Sequence, residues 1–375
     1  MAVTAKFWHT AGMAQRSGFA GGRSDFSRLV LVCLIVAGIL VGLRGSLLVA
    51  QDQGITTLHV YANTVQIPVL VLGARREKIG PIAGSRFSVS FDGGTPFRVS
   101  HVRPEGDDPI SLAILLDLSG PEEELMPKIS SAIAELAPLS LHPQDHVTVY
   151  ALDCEMTRST VDSSATPAML KLQVAGALKP WTDRGEDKHG AKCQQEVHLW
   201  DALAFITDQL SGVPGRRVIL AVTDGNDKES KHRWNEVRVF AQNSAVAIFG
   251  MSYVPNDPGH TFSQGRGSGS AFDSICELSG GLVFTVNRNN VEKKLPQFVA
   301  MVRGRYIVEF PRPYNSTRGR HELVVTIDKS KAFIRPTGIS VPVADAKEME
   351  DPTTVHSDPS LAPEVGDRHL LEAPQ

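Results

Sequence analysis

The sequence of 375 residues lacks an excess of positive charge, and this absence removes one class of function. It has 38 lysine and arginine residues against 41 aspartate and glutamate residues, which gives a formal net charge of -3. Proteins that bind nucleic acid concentrate lysine and arginine on one face to neutralise phosphates. No basic stripe of this kind occurs in the chain. Nucleic acid is therefore excluded as a partner.

The chain also lacks the short motifs that accompany common catalytic chemistry. It contains no nucleophile elbow, no HExxH zinc motif, no phosphate-cradling glycine loop and no CxxC pair. Its histidines are scattered without the spacing of metal ligands. An enzyme, such as a metal-dependent hydrolase, is accordingly the least favoured class of function.

A hydrophobic run long enough to cross a bilayer is missing as well. Arginines precede the apolar run 29–43, which Arg44 closes, and at about 15 residues this run is shorter than the roughly 20 that a membrane helix needs. A basic segment followed by a short apolar run is typical of an export signal, here cleaved after Ala50. The alternative is an uncleaved anchor that also uses residues 45–50. Both interpretations predict a periplasmic, secreted or outward-facing membrane-anchored protein.

Cysteine is scarce, with four residues in the chain. Cys33 lies in the export segment, which leaves Cys154, Cys193 and Cys276 in the mature protein. Cys154 follows a predicted strand and Cys193 precedes a predicted helix, so both fall near the same edge of the domain, and an exported protein can form a disulfide between them. The alternative is three unpaired, partly buried thiols.

Two stretches of similar form organise the rest of the chain. SLAILLDLSGP at 111–121 and RVILAVTDGND at 217–227 each contain an apolar run that ends in an aspartate followed by small or turn-forming residues. This pattern is typical of a buried parallel strand that stops at a loop. Helical patterns between such strands predict crossover connections and a parallel sheet. Asp117 and Asp224 then share the edge of the sheet at which ligands bind in open α/β folds.

The same stretches carry a resemblance to a known family. Asp117-Leu118-Ser119 before a helix, with Thr223-Asp224-Gly225 at the end of a later strand, resembles the von Willebrand factor type A domain. Over residues 55–343 the flanking pieces, such as FSVSFDGGTPFRV and RYIVEF, are similar to a bacterial branch often labelled VWFA-related. The resemblance implies an α/β fold: a Rossmann-like, mostly parallel sheet flanked by helices.

The resemblance also implies a metal-ion-dependent adhesion site, which the family builds from a DxSxS loop, a distant threonine and a distant aspartate. Asp117, Ser119 and Asp224 are retained, whereas Pro121 replaces the second serine and Val197 replaces the threonine. Mg²⁺ requires oxygen ligands, and proline offers neither a hydroxyl nor an N–H. The sequence therefore predicts a degenerate site with weak or lost dependence on Mg²⁺ or another divalent cation.

Neighbouring side chains offer replacements for the two lost ligands, and each also has a structural interpretation. Glutamates 122–124 follow Pro121, but acidic residues at a helix start also interact favourably with free N–H groups. Glu196 and His198 flank the lost threonine, and His198 is expected on the surface. We expect Asp227 to cap the segment that follows it and Asp201 to bond a nearby loop backbone.

The chain is predicted to contain five regions. Residues 1–50 form the export signal or anchor, 51–103 a β-rich module, 104–304 the von Willebrand factor A-like domain, 305–343 a carboxyl-terminal β segment and 344–375 a disordered tail. The turn Asp92-Gly93-Gly94 predicts a hairpin, since glycine tolerates positive φ. Strands from both flanks are expected to form one smaller β module around the α/β domain. The tail is rich in Pro, Asp and Glu and has too few large apolar residues to order itself.

These patterns favour an exported, non-catalytic protein-binding or adhesion module. A protein or glycan ligand would dock at the loop edge of the sheet, where Trp181, Trp200 and Trp234 are candidate anchors or, equally, residues that pack the domain. The alternative is a structural or assembly component of an envelope complex. Contact with a membrane is expected only through an uncleaved amino-terminal anchor.

Overall fold

The computed structural model of the protein describes residues 64–119, 121–153, 155–159, 163–186, 198–253, 270–313, 321–338, 350, 352 and 358–367. The predicted export signal, the candidate disulfide between Cys154 and Cys193, and the positions Glu196 and Val197 lie outside these residues. Among the helices that are described, none has the length and apolar character that crossing a bilayer requires.

Strands account for much of the described chain. In order they are β1 (Thr64–Leu72), β2 (Phe87–Phe91), β3 (Phe97–Arg98), β4 (His101–Pro104), β5 (Ile110–Asp117), β6 (His146–Leu152), β7 (Met156–Arg158), β8 (Ser163–Ser164), β9 (Arg216–Val222), β10 (Val246–Tyr253), β11 (Val283–Val286), β12 (Tyr306–Pro311), β13 (Leu323–Ile327) and β14 (Phe333–Pro336). The α-helices are α1 (Met126–Ala134), α2 (Pro167–Glu186), α3 (Leu199–Ser211), α4 (Trp234–Asn243), α5 (Ala271–Ser279) and α6 (Val291–Arg303).

A mostly parallel sheet forms the centre of the α/β domain. Its strand order is β11-β10-β9-β5-β6-β7, with β8 also pairing with β6. Neighbours are parallel except β7 and β8, which run antiparallel to β6. The order reverses between β5 and β9, which makes this pair the topological switch point of a doubly wound sheet. The predicted Rossmann-like fold is confirmed.

Hydrophobic cores cover both faces of this sheet. Successive side chains of a strand point to opposite faces, so Ile114 of β5 packs in the core beneath α1, α2 and α6, while Leu115 packs in the core beneath α3, α4 and α5. Every residue of β5 is buried. This is the burial expected of a central strand and explains its unbroken apolar sequence.

The smaller β module is built from both flanks of the α/β domain. One sheet has the order β14-β1-β12-β4 and the other has the order β13-β2-β3. Val65 pairs with Phe310 across β1 and β12, and Val89 pairs with Val325 across β2 and β13. Apolar side chains of both sheets share one core. The predicted module of flanking segments is therefore confirmed, and the α/β domain is inserted into it.

Two helix boundaries differ from the sequence prediction. The segment from Pro121 forms a 3-10 turn through Leu125, and α1 begins only at Met126. Pro127 explains the difference, since proline is tolerated in the first turn of an α-helix but breaks its interior. In the second case, the polar run 179–195 predicts a loop, but α2 continues through Pro180 into this run as far as Glu186. Trp181 packs against the core there, so burial outweighs the local cost of the proline.

The carboxyl-terminal segment also differs from its prediction in part. Residues 358–367 were expected in a disordered tail, but Val365 forms a parallel bridge with Phe91 and Gly366 N donates to Phe91 O at 3.0 Å. Ala362 is buried beside them. A few small apolar residues are sufficient here because β2 already offers a core surface, and Phe91 O accepts this second hydrogen bond beside the one from Gly94 N at 2.8 Å. The run 332–343 predicts a last short pair of strands, of which the described residues contain β14 alone.

Candidate functional site

Asp117 joins the two loops at the topological switch point. Its Oδ1 accepts hydrogen bonds from Ser119 N at 3.1 Å and from Ser119 Oγ at 2.5 Å. Its Oδ2 accepts a hydrogen bond from Thr223 Oγ1 at 2.7 Å. Since β5 and β9 are neighbours, one carboxylate at the end of β5 reaches the first residue after β9. The loop after each strand is thereby held to the other.

Burial makes this carboxylate electrostatically unusual. Asp117 is only 1% exposed. Loss of solvation raises its pKa, and the nearby charge of Asp224 acts in the same direction, while the hydrogen bonds from Ser119 and Thr223 oppose the rise without cancelling it. The group is therefore easier to protonate than an ordinary aspartate.

Asp224 is close enough to influence Asp117 but bonds within its own loop. Its Oδ1 accepts from Asn226 N at 2.8 Å and its Oδ2 accepts from Asn226 Nδ2 at 2.6 Å. Gly225 between them has a φ of 74° and donates its N–H to Thr223 Oγ1 at 3.0 Å. Residues 223–226 thus form a tight turn whose polar groups bond to one another.

These residues do not fit a complete site for a hard divalent cation. All four carboxylate oxygens of Asp117 and Asp224 already accept hydrogen bonds. In the part of the chain that is described, no group of three or more His, Cys, Asp or Glu side chains is arranged to hold a metal ion. Near-octahedral oxygen coordination would need ligands in addition to Asp117, Ser119 and Asp224.

A second set of bonds ties the 224–232 loop to the start of α3. Asp227 Oδ1 accepts from Trp200 N at 3.0 Å, and Ser230 Oγ accepts from Trp200 N at 3.1 Å and Asp201 N at 3.2 Å. In return Asp201 accepts from the backbone N–H groups of Lys231 and His232 at 3.1 and 2.9 Å. The prediction for Asp201 is confirmed. Asp227 does act as a cap, but for a helix that precedes it in the chain.

Among the candidate replacement ligands, Glu124 bonds to partners other than the Asp117 loop. Glu124 Oε2 bonds Arg288 Nη2 at 2.6 Å and Tyr253 Oη at 3.1 Å. These bonds hold the 121–125 turn to the end of β10 and to the loop after β11. His198 is exposed at the residue preceding α3, as predicted. The candidate anchor tryptophans differ in exposure. Trp200 is buried and stacks on Phe272, whereas Trp234 is 38% exposed.

Sequence reasoning missed part of this arrangement. Thr223 served only to recognise the motif, yet its hydroxyl bonds Asp117 and so joins the ends of β5 and β9. Asn226 and Ser230 were not singled out at all. A signal for Thr223 was present, since it is the first residue after a buried strand, but serine and asparagine in a turn are too common to indicate their partners.

Comparisons with known proteins concern the fold. No protein-family model matches the sequence. None of the curated proteins matches it either. Solved structures with similar folds include BatB from Bacteroides thetaiotaomicron, with 14% identity and a TM-score of 0.35, over 52% of this chain and 98% of that protein.

Two further solved structures are similar to the same extent. An aerotolerance-related membrane protein from Bacteroides fragilis has 15% identity and a TM-score of 0.34, over 51% of this chain and 98% of that one. The vWF domain of the type V pili tip protein Mfa5 from Porphyromonas gingivalis has 10% identity and a TM-score of 0.35, over 52% and 96%. The described strand order is that of a doubly wound, Rossmann-like α/β domain, and at these TM-scores and identities the similarities carry no conclusion about the family or role of this chain.

Proposed function

We propose that the protein is an exported, non-catalytic module that binds a protein ligand at the loop edge of its parallel sheet, without needing a divalent cation. The observation that carries this proposal is the bonding of Asp117 to Ser119 and Thr223. In this arrangement the two switch-point loops are positioned by hydrogen bonds. A cation is therefore not required to shape the surface.

The surface around these loops supports the proposal. Asn226, His232 and His198 are exposed there, and Trp234 contributes an aromatic ring that is 38% exposed. Aromatic side chains surrounded by polar groups are common anchors of protein interfaces. The bonds between the 224–232 loop and α3 make this surface rigid before a ligand binds, which lowers the entropic cost of association.

Site-specific photo-crosslinking tests the proposal in the producing cell envelope. A photoreactive residue placed at Asn226 or His232 is expected to give one crosslinked protein partner, in the same yield with EDTA as with Mg²⁺. The matched control is Leu139, which is 90% exposed and lies in the connection before β6, at the opposite edge of the sheet. Crosslinks that require Mg²⁺, or that form equally from Leu139, would reject the proposal. Crosslinks only to other copies of the chain would favour the assembly role.

A further inference from the structure

A large cavity lies where the β module meets the outer edge of the parallel sheet. Its volume is about 780 Å³, within the range of sites for small molecules, which often occur between two structural modules. Strand β11 is an edge strand that pairs only with β10 among the described strands. The wall opposite β11 comes from β1 and the loop that follows it. The apolar lining includes Leu70, Leu72, Leu282, Phe284, Met301 and Tyr306.

An ion cluster lies beside this cavity and contributes Arg76 and Glu277 to its lining. Arg76 and Arg335 each bond one oxygen of Glu277, at 2.6 and 2.7 Å. Both guanidinium groups also stack on the ring of Phe333, with Cζ 3.7 and 4.2 Å from its centroid. Arg76 has a φ of 65° in a tight turn closed by backbone bonds between Gly73 and Glu77. The cluster thus links the β module to α5 at a defined separation.

The charges around the cavity do not balance. Glu277 is neutralised by its two arginines, which lower its pKa in spite of partial burial. Asp273, the other acidic residue of the lining, is bonded by Ser270 Oγ at 2.7 Å. Lys78 and Lys294 also line the cavity, and neither pairs with a carboxylate among the described residues. Lys78 is exposed and Lys294 is half-exposed, so two ammonium groups lie on the solvent side of the lining, at the mouth of the cavity, beside its apolar side chains.

We propose that this cavity binds a small amphipathic molecule with an apolar body and one anionic head group. The apolar body lies against Leu70, Phe284 and Met301, where it displaces water from nonpolar surface. The head group lies at the mouth, where Lys78 and Lys294 supply the opposite charge. None of these residues belongs to the loops around Asp117, so the site is independent of the proposed protein-binding edge.

Calorimetry on the full chain with three probes tests the chemistry of the ligand. Dodecanoate has the apolar chain and the anionic head, dodecanol lacks the charge, and dodecyltrimethylammonium reverses it. All three are used below their micelle or solubility limits. Saturable binding of dodecanoate at a ratio of one, at least tenfold tighter than that of the other two, is expected. Equal binding of the three probes, or no binding of dodecanoate, would overturn the proposal.

Two variants with controls on the same helix test the location. Ala300→Trp fills the cavity from an exposed position of α6, and Lys78→Glu combined with Lys294→Glu reverses the charge at the mouth. Each is expected to weaken dodecanoate binding at least tenfold. Lys293→Trp and Lys293→Glu introduce the same side chains at an exposed neighbour outside the lining and are expected to leave binding unchanged. Circular dichroism confirms folding, and binding that survives both cavity variants would place the ligand elsewhere.

Discussion

Glu105 and Arg305 form a buried ion pair with two hydrogen bonds, although 200 positions separate them in the sequence. Both contacts measure 2.7 Å, and each residue is 1% exposed. Glu105 N also donates to Arg305 O at 2.8 Å. The pair lies where the chain leaves the β module for the α/β domain and where it returns. The ion pair therefore joins the two ends of the inserted α/β domain.

Removing one charge of this pair is expected to destabilise the protein strongly. Glu105→Gln leaves a buried guanidinium without its counter-charge, and such changes cost about 3–5 kcal/mol. Urea unfolding of the variant against the native chain measures the loss. Asp183→Asn, which breaks the exposed pair with Lys179, is the control and should change little. A small effect of Glu105→Gln would show that solvent reaches the pair.

Replacing Asp117 by asparagine is expected to alter stability in a pH-dependent manner. Because the folded-state pKa of Asp117 is raised, its stabilising contribution is complete below the ordinary value of 3.8 and is lost as the pH rises through the raised pKa. Asp117→Asn removes that loss. We expect its Tm, relative to the native chain, to be higher at pH 8 than at pH 4. A constant difference at all pH values would contradict the raised pKa.

Divalent cations are expected to have little affinity for the switch-point loops. Calorimetric titration of Mg²⁺ and Mn²⁺ into the protein should give no saturable heat, since all four carboxylate oxygens of Asp117 and Asp224 accept hydrogen bonds. Asp117→Ala and Asp224→Ala should then behave as the native chain does in this assay. Saturable binding that disappears in both variants would instead show that the degenerate site retains a cation.

The cap on α3 is expected to contribute measurably to stability. Asp227→Ala removes the carboxylate that accepts from Trp200 N, and loss of such a cap typically costs about 1 kcal/mol. Asp227→Asn keeps an acceptor and should retain most of the stability in thermal unfolding. Asp208→Ala is the control, since Asp208 lies exposed near the other end of α3. Equal losses from Asp227→Ala and Asp227→Asn would mean that charge, not hydrogen bonding, stabilises the helix.

The α/β domain is expected to depend on the β module for cooperative folding. A fragment of residues 104–304 lacks Arg305, and it lacks Leu70 and Leu72, which pack in the core of the α/β domain beneath α1, α2 and α6. We expect the full chain to unfold in one transition and the fragment to unfold earlier and less steeply in urea. A fragment as cooperative as the full chain would show that the two units are independent.

Local pattern was sufficient for most elements but not for their boundaries. Apolar runs ending in Asp117 and Asp224 predicted β5 and β9 because a buried strand needs nonpolar side chains on both faces, and β9 ends two residues earlier, at Val222. The start of α1 was predicted incorrectly because the run of glutamates resembles a helix start, whereas Pro127 shifts that start to Met126. The length of α2 depends on the burial of Leu178 and the packing of Trp181, which no local pattern reports.

The sequence by itself determined the parallel sheet and the edge on which Asp117 and Asp224 lie. These follow from side-chain chemistry and periodicity, which are local properties. Only the tertiary structure decided that Thr223 bonds Asp117, that Asp227 caps the preceding helix and that Glu105 meets Arg305. Such pairings depend on which strands become neighbours, and that is set by the packing of the whole core.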